Sequence, residues 1–214
     1  MSSSVNHFHD LVITLEDFAA PAKVEPLNFG SAIDKLGSDA YTFIATLAVL
    51  PFLQPIPLGV FSLIGSSAFI ALGLQLFKGE QNLALPKKIR NVTISFQMRH
   101  RLASTCLKII SFCRCFTKPR LSFLVRDKLG RKIGGFIFIS VGILIAIPLG
   151  GVVPFKNLFP SLAILFYCTA EIEQDGLMVI FSLICLVLTV IFYSLLIYFV
   201  WVFGETAIRH FFWN

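Results

Sequence analysis

The chain has 214 residues, of which 56% are hydrophobic and only 14% charged, with a mean hydropathy of +0.81 and 23 phenylalanines. Soluble domains carry about a quarter charged residues, so this composition argues against one and for a polytopic membrane protein. The net charge of +6 is unevenly spread: fourteen of the eighteen Lys/Arg residues lie between Lys78 and Lys132, opposed only by Glu80 and Asp127. A basic block of this kind would suit nucleic acid if it stood alone, but flanked by apolar segments it reads as an orientation signal that keeps residues 78–132 in the cytoplasm and as a contact for anionic headgroups; no nucleic-acid partner is expected.

Residues 1–35 form a polar tail. No basic segment followed by an apolar core appears among the first forty residues, so no cleavable signal peptide is expected. His7 and His9 lack carboxylate or thiol partners at ligand spacing, and no metal or other cofactor is expected. Ser31 to Leu36 has the makings of a short interfacial helix, with Ser31 as cap.

From Tyr41 to Phe77 the chain is hydrophobic for long enough to enter a bilayer twice, but Pro51, Pro55 and Pro57 interrupt it, with Gln54 among them. Each proline removes a donor and clashes with the preceding turn. At membrane depth the freed backbone groups need protein partners or a wet cavity. The first arm is shorter than the roughly 20 residues of a full span, which leaves two topologies open, a re-entrant hairpin or two short tilted spans with a polar kink. Gln54 and Gln75 are the amides nearest to membrane depth, either repairing broken backbone or binding a headgroup.

The connection, about residues 87–131, interleaves apolar and basic residues from Val92 to Phe116 in the manner of a helix lying in the headgroup plane or packed on the membrane domain. Pro119 ends it. Arg120, next along, is placed to grip a phosphate or to serve as one more inside-positive charge. The five cysteines lack the spacing of a zinc site.

Lys132 to Ile147 is the next apolar arm, broken at Pro148 and again at Pro154 and Pro160. Glu171, Glu173 and Asp175 then precede 27 uninterrupted apolar residues, Leu177 to Phe203, the most secure transmembrane helix of the chain. Asp175 suits the helix N-cap, although carboxylates this close are also able to share a proton or hold a divalent ion. Residues 204–214 are an aromatic tail.

Sliding the sequence on itself superposes Pro55 on Pro148, Ala68 on Ser161, Glu80 on Glu173, Gln81 on Gln174 and Asn82 on Asp175. The expected architecture is therefore an all-α integral membrane protein with one membrane domain, residues 36–203. It comprises two repeats of proline-broken, re-entrant or kinked transmembrane helices (about 36–86 and 132–203), the basic amphipathic connection and a long C-terminal transmembrane helix. Interrupted segments at matching places in two halves are a pointer to a transporter-like binding site. On that ground Gln54, Pro55, Pro57, Gln75, Arg120, Glu173 and Asp175 are the candidate substrate-binding residues. No catalytic constellation is present, so an enzyme is not expected.

The run Leu50-Pro51-Phe52-Leu53-Gln54-Pro55-Ile56-Pro57-Leu58-Gly59 resembles the ExoD family of bacterial exopolysaccharide-synthesis membrane proteins. The later Leu72-Gly73-Leu74-Gln75-Leu76-Phe77-Lys78-Gly79, Pro119-Arg120-Leu121, Pro160-Ser161-Leu162-Ala163-Ile164 and Asp175-Gly176 resemble it in the same order. Two departures stand out, Gly59 where the family pattern has a proline, and Pro148-Leu149-Gly150 in place of a second Pro-x-Pro. The resemblance implies a multi-pass inner-membrane protein tied to exopolysaccharide production, with membrane lipids and polysaccharide-synthesis proteins as partners and oligomers possible. The function expected is handling of an anionic lipid or lipid-linked saccharide; the alternative is a non-transporting scaffold.

Overall fold

The computed structural model describes residues 27–28, 30, 33–34, 40–54, 59, 61–80, 83–84, 86, 90–91, 93–94, 104, 108, 117, 121, 123–147 and 156–212, with side chains in the last span described to residue 202. Apart from one two-residue strand pair, the elements are helical: α1 (Ala40–Val49) continued by a 3-10 turn (Leu50–Leu53), α2 (Phe61–Lys78), α3 (Phe123–Arg126), α4 (Lys128–Ala146), α5 (Leu158–Glu173) and α6 (Gly176–Phe212). Three of these, α2, α4 and residues 176–202 of α6, are long and apolar enough to cross a membrane.

Proline places the breaks. Gln54, just before Pro55, is extended at φ −80° and ψ 144°, and Ile147, just before Pro148, is extended at φ −63° and ψ 119°. The proline ring disfavours helical backbone in the residue before it, so the 3-10 turn stops at Leu53 and α4 at Ala146.

The helices run back and forth between two ends. Glycine lets α2 and α4 pack backbone to backbone: a Cβ on Gly135 would stand 2.7 Å from the Gly73 carbonyl oxygen and 2.7 Å from the Phe77 nitrogen, and one on Gly142 would meet Ser66 O at 2.9 Å. These contacts make the pair antiparallel. In lipid, where apolar burial does not drive association, such small-residue approaches carry helix pairing. A chain of edge-on aromatic contacts crosses four elements, Phe52 to Phe69 at 5.5 Å, Phe69 to Phe138 at 6.4 Å and Phe138 to Tyr167 at 5.8 Å. Phe52 lies over Gly65, and Tyr167 over Gly134. Serine and threonine hydroxyls inside the bundle bond to carbonyls, among them Ser182 of α6 to Ala163 O of α5 at 2.6 Å. The outward faces of α2, α4 and α6 are apolar, with Phe61, Phe136, Leu188 and Trp201 among the exposed residues.

Two expectations for the polar segments are revised or fall elsewhere. Thr93–Ile94, near the start of the supposed in-plane helix, is a strand paired antiparallel with Leu27–Asn28, so that stretch is helical only further on, where Ser104 and Lys108 are found. The competing factor is β-branching at Val92, Thr93 and Ile94, which suits a strand. The rest of the supposed helix, and most of Ser31 to Leu36, lie outside the described residues. The pairing, together with the Arg90–Asp34 ion pair, ties the N-terminal tail to the basic connection on one side of the molecule.

A test of the packing is Gly135→Ala. Its new methyl meets backbone, which cannot swing aside, so we expect a loss of about 1–3 kcal/mol, read as a lowered unfolding midpoint in detergent. Gly59→Ala, with open space around it, costs only the strain of its positive φ.

Candidate functional site

Five helix termini meet at one end of the bundle. Tyr41 at the start of α1 donates to Gln75 Oε1 near the end of α2 at 3.3 Å, and Thr42 donates to Glu171 Oε2 near the end of α5 at 2.6 Å. The Arg131 guanidinium of α4 reaches the Glu80 carbonyl at 3.5 Å. Gln75 also grips the backbone of Ala84 in both directions, donating to its carbonyl at 3.1 Å and accepting from its N–H at 2.8 Å. Its amide is thus occupied in fastening the exit of α2.

The two helices that end here stop in the same way. At α2, Gly79 takes φ +77°, the Glu80 N–H reaches back to Gln75 O at 3.1 Å and the Gly79 N–H to Leu76 O at 3.0 Å. At α5, Gln174 takes φ 55° and the Asp175 N–H reaches back to Ala170 O at 3.0 Å. Both are left-handed caps with the six-to-one bond that satisfies a terminal carbonyl. Asp175 then starts α6, its carboxylate accepting from the Leu177 N–H at 3.0 Å, as its sequence position suggests.

The opposite end holds the breaks. Asn157, before α5, donates from Nδ2 to Ser62 Oγ at the start of α2 at 3.4 Å, and Tyr193 of α6 donates to the Lys156 carbonyl at 3.2 Å. Lys156 is only 8% exposed. Lys156 and Asn157 were not anticipated, yet the sequence carried a signal: Lys156 is the one basic residue between Lys132 and Arg209.

The structure divides the predicted site residues. Gln75, Glu173 and Asp175 gather at the first end, with Asp175 buried and Glu173 half-buried. Gln54 is exposed at the other end. Pro55, Pro57 and Arg120 lie outside the described residues. Among the described residues no group of three His, Cys, Asp or Glu side chains is placed to hold a metal ion.

Apolar helices with outward-facing hydrophobic residues and polar termini define a helical membrane protein. The family model for exopolysaccharide synthesis, ExoD, matches residues 11–195, and the chain belongs to that family. It is 28% identical to Protein ExoD of Rhizobium meliloti (strain 1021) over 202 residues, which is 93% of this chain and 82% of that protein. No solved structure matches it.

The polar end can be tested by removing one hydroxyl. Thr42→Val leaves the Glu171 carboxylate without its close donor, and a bond to a charged group contributes about 1.5–3 kcal/mol. Thr46 bonds only the Thr42 carbonyl of its own helix at 2.7 Å. The expected result is a clear fall in the unfolding midpoint for Thr42→Val and a shift within error for Thr46→Val.

Proposed function

We propose that this ExoD-family protein works in the bacterial inner membrane, with its basic connection in the cytoplasm, where it handles an anionic amphiphile of exopolysaccharide production such as a lipid-linked saccharide or carrier phosphate. It acts without catalysing a covalent step. One observation carries this reading, the mismatch between the bundle and α6. The Tyr193 to Lys156 bond sets the break end level with Tyr193. From there to Val202 the apolar helix continues for about 14 Å at 1.5 Å per residue. The exposed Tyr198 and Trp201 mark where such a helix meets the headgroups. The broken helices therefore stop short of that level, beneath the headgroups, where polar backbone needs protein or water. That depth is where the charged head of an amphiphile would be seated.

The helix pairing supports a duplication. The hairpin of α1 and α2 and the hairpin of α4 and α5 both leave the polar end and return to it, and α1 packs on α5 as α4 packs on α2. That exchange is what a two-fold axis along the membrane normal produces, the arrangement of parallel repeats. In this reading each hairpin is re-entrant.

Reconstitution in liposomes supplies the test. Transbilayer movement of a fluorescent polyprenyl phosphate is expected to exceed that of protein-free vesicles. Movement at the protein-free rate, with a glycosyltransferase or polymerase co-purifying from cells, would instead establish the scaffold alternative. Gln54→Leu is expected to slow movement while protein levels stay normal; unchanged movement would reduce Gln54 to a structural residue.

A further inference from the structure

Lys156 and Asn157 present an imbalance of charge and hydrogen bonding. A lysine near an interface ordinarily snorkels, its stem on apolar surface and its ammonium in water. Most of the Lys156 side chain is buried, the residue being 8% exposed, and it has no ion pair among the described residues. A lysine without a carboxylate partner, set among apolar membrane helices, is placed to meet an anion. Asn157 is 3% exposed; its Nδ2 is used on Ser62, while its Oδ1 has no partner among the described residues. These two residues lead into α5, whose first turn contains no acidic side chain and whose N-cap makes no side-chain bond. The N–H groups of Leu158 and Phe159 therefore point toward the same turn with the positive end of the helix dipole behind them.

We infer that the turn entering α5 binds a phosphate group bearing a hydroxyl donor, with Lys156 and the first amides of α5 taking the anionic oxygens and Asn157 Oδ1 accepting from the hydroxyl. The orphan acceptor sets the chemistry. A carboxylate or a halide would satisfy the cation but offer Asn157 nothing, whereas a monoprotonated phosphate or a phosphate joined to a saccharide supplies a donor beside its charge. Phe61 and Phe159, exposed at the first turns of α2 and α5, are suited to the hydrocarbon chain of such a ligand. This rests on the preceding reading that the chain handles an anionic amphiphile and gives that amphiphile a seat, on the side away from the basic connection.

The experiment uses the full chain in phosphatidylcholine nanodiscs and measures binding of geranylgeranyl phosphate, with geranylgeraniol and inorganic phosphate as separate probes. Saturable binding of the phosphate ester, weakened about tenfold or more in Lys156→Gln and retained in Lys156→Arg, is expected for a charge-assisted contact; Asn157→Leu should weaken it by a smaller factor. Equal binding by Lys156→Gln and the unaltered protein, or equal binding of the alcohol, would overturn the site. Competition by millimolar inorganic phosphate would assign the site to the phosphate group whatever carries it; its absence would assign it to a lipid-borne phosphate. Unfolding midpoints of all variants are taken alongside, and if Lys156→Gln fails to fold, unweakened binding in Asn157→Leu overturns the assignment. Binding without liposome translocation would leave the site standing and remove transport, while binding lost in Lys156→Gln with translocation undiminished would leave the site standing and show that transported lipid does not pass through it.

Discussion

The close approach of α2 and α4 through glycine is the contact on which the remaining geometry depends. Because Gly73 and Gly135 bring the two backbones together and Gly142 continues the contact toward Ser66, the pair is fixed antiparallel and in one register. That register sets Arg131 beside Glu80 at one end. At the other it brings the end of α4 level with the start of α2. A side chain at either position would force the helices apart and separate the ends that now share hydrogen bonds. In a bilayer the apolar surface gained on packing counts for little, and close van der Waals contact has to supply the association.

Polar groups then sort by end. At the end with Tyr41, Thr42, Gln75 and Glu171, hydroxyls meet a carboxylate and an amide, and each helix that stops there is capped. The break end differs. Asn157 keeps an acceptor without a donor and Lys156 a charge without a counterion among the described residues. Capping satisfies the terminal carbonyls a fold must account for, whereas the buried Asn157 acceptor calls for an explanation beyond stability.

Much of this was legible in the sequence, for reasons that differ by element. The apolar helices follow from length and composition, and their ends from proline, since the residue before Pro55 and the residue before Pro148 are extended for the same steric reason. The cap at Asp175 could be read because an acidic residue before a long apolar run has few other uses. The strand at Thr93 could not, because two residues give no periodicity and the partner at Leu27–Asn28 is distant in the chain. The sequence leaves Gln75 between repairing broken backbone and binding a headgroup, because an amide beside apolar residues suggests depth. Its bonds to Ala84 come from the loop folding back, which no local pattern announces. Lys156 was overlooked because charge was weighed in blocks, and one lysine contributes almost nothing to a block while deciding the chemistry of an otherwise uncharged break.

The comparison of the two halves becomes sharper with the caps in view. At the break end Gln54 and Ile147 occupy equivalent pre-proline positions in the register that pairs Pro55 with Pro148. At the polar end the left-handed residues are Gly79 and Gln174, so Glu80 corresponds to Asp175 and the pairing of Glu80 with Glu173 is displaced by two residues. In the duplication proposed above, the helices following the breaks keep their ends and change the length between break and cap. Departure is concentrated where the first half enters its helix through Gly59 at φ +53° and the second through Lys156 and Asn157. A symmetric pair of breaks would present two equivalent polar turns to the same face. Here one turn carries the exposed Gln54 and the other Lys156, so in the proposed reading a ligand with a single charged head rests at the second, and the asymmetry itself selects it.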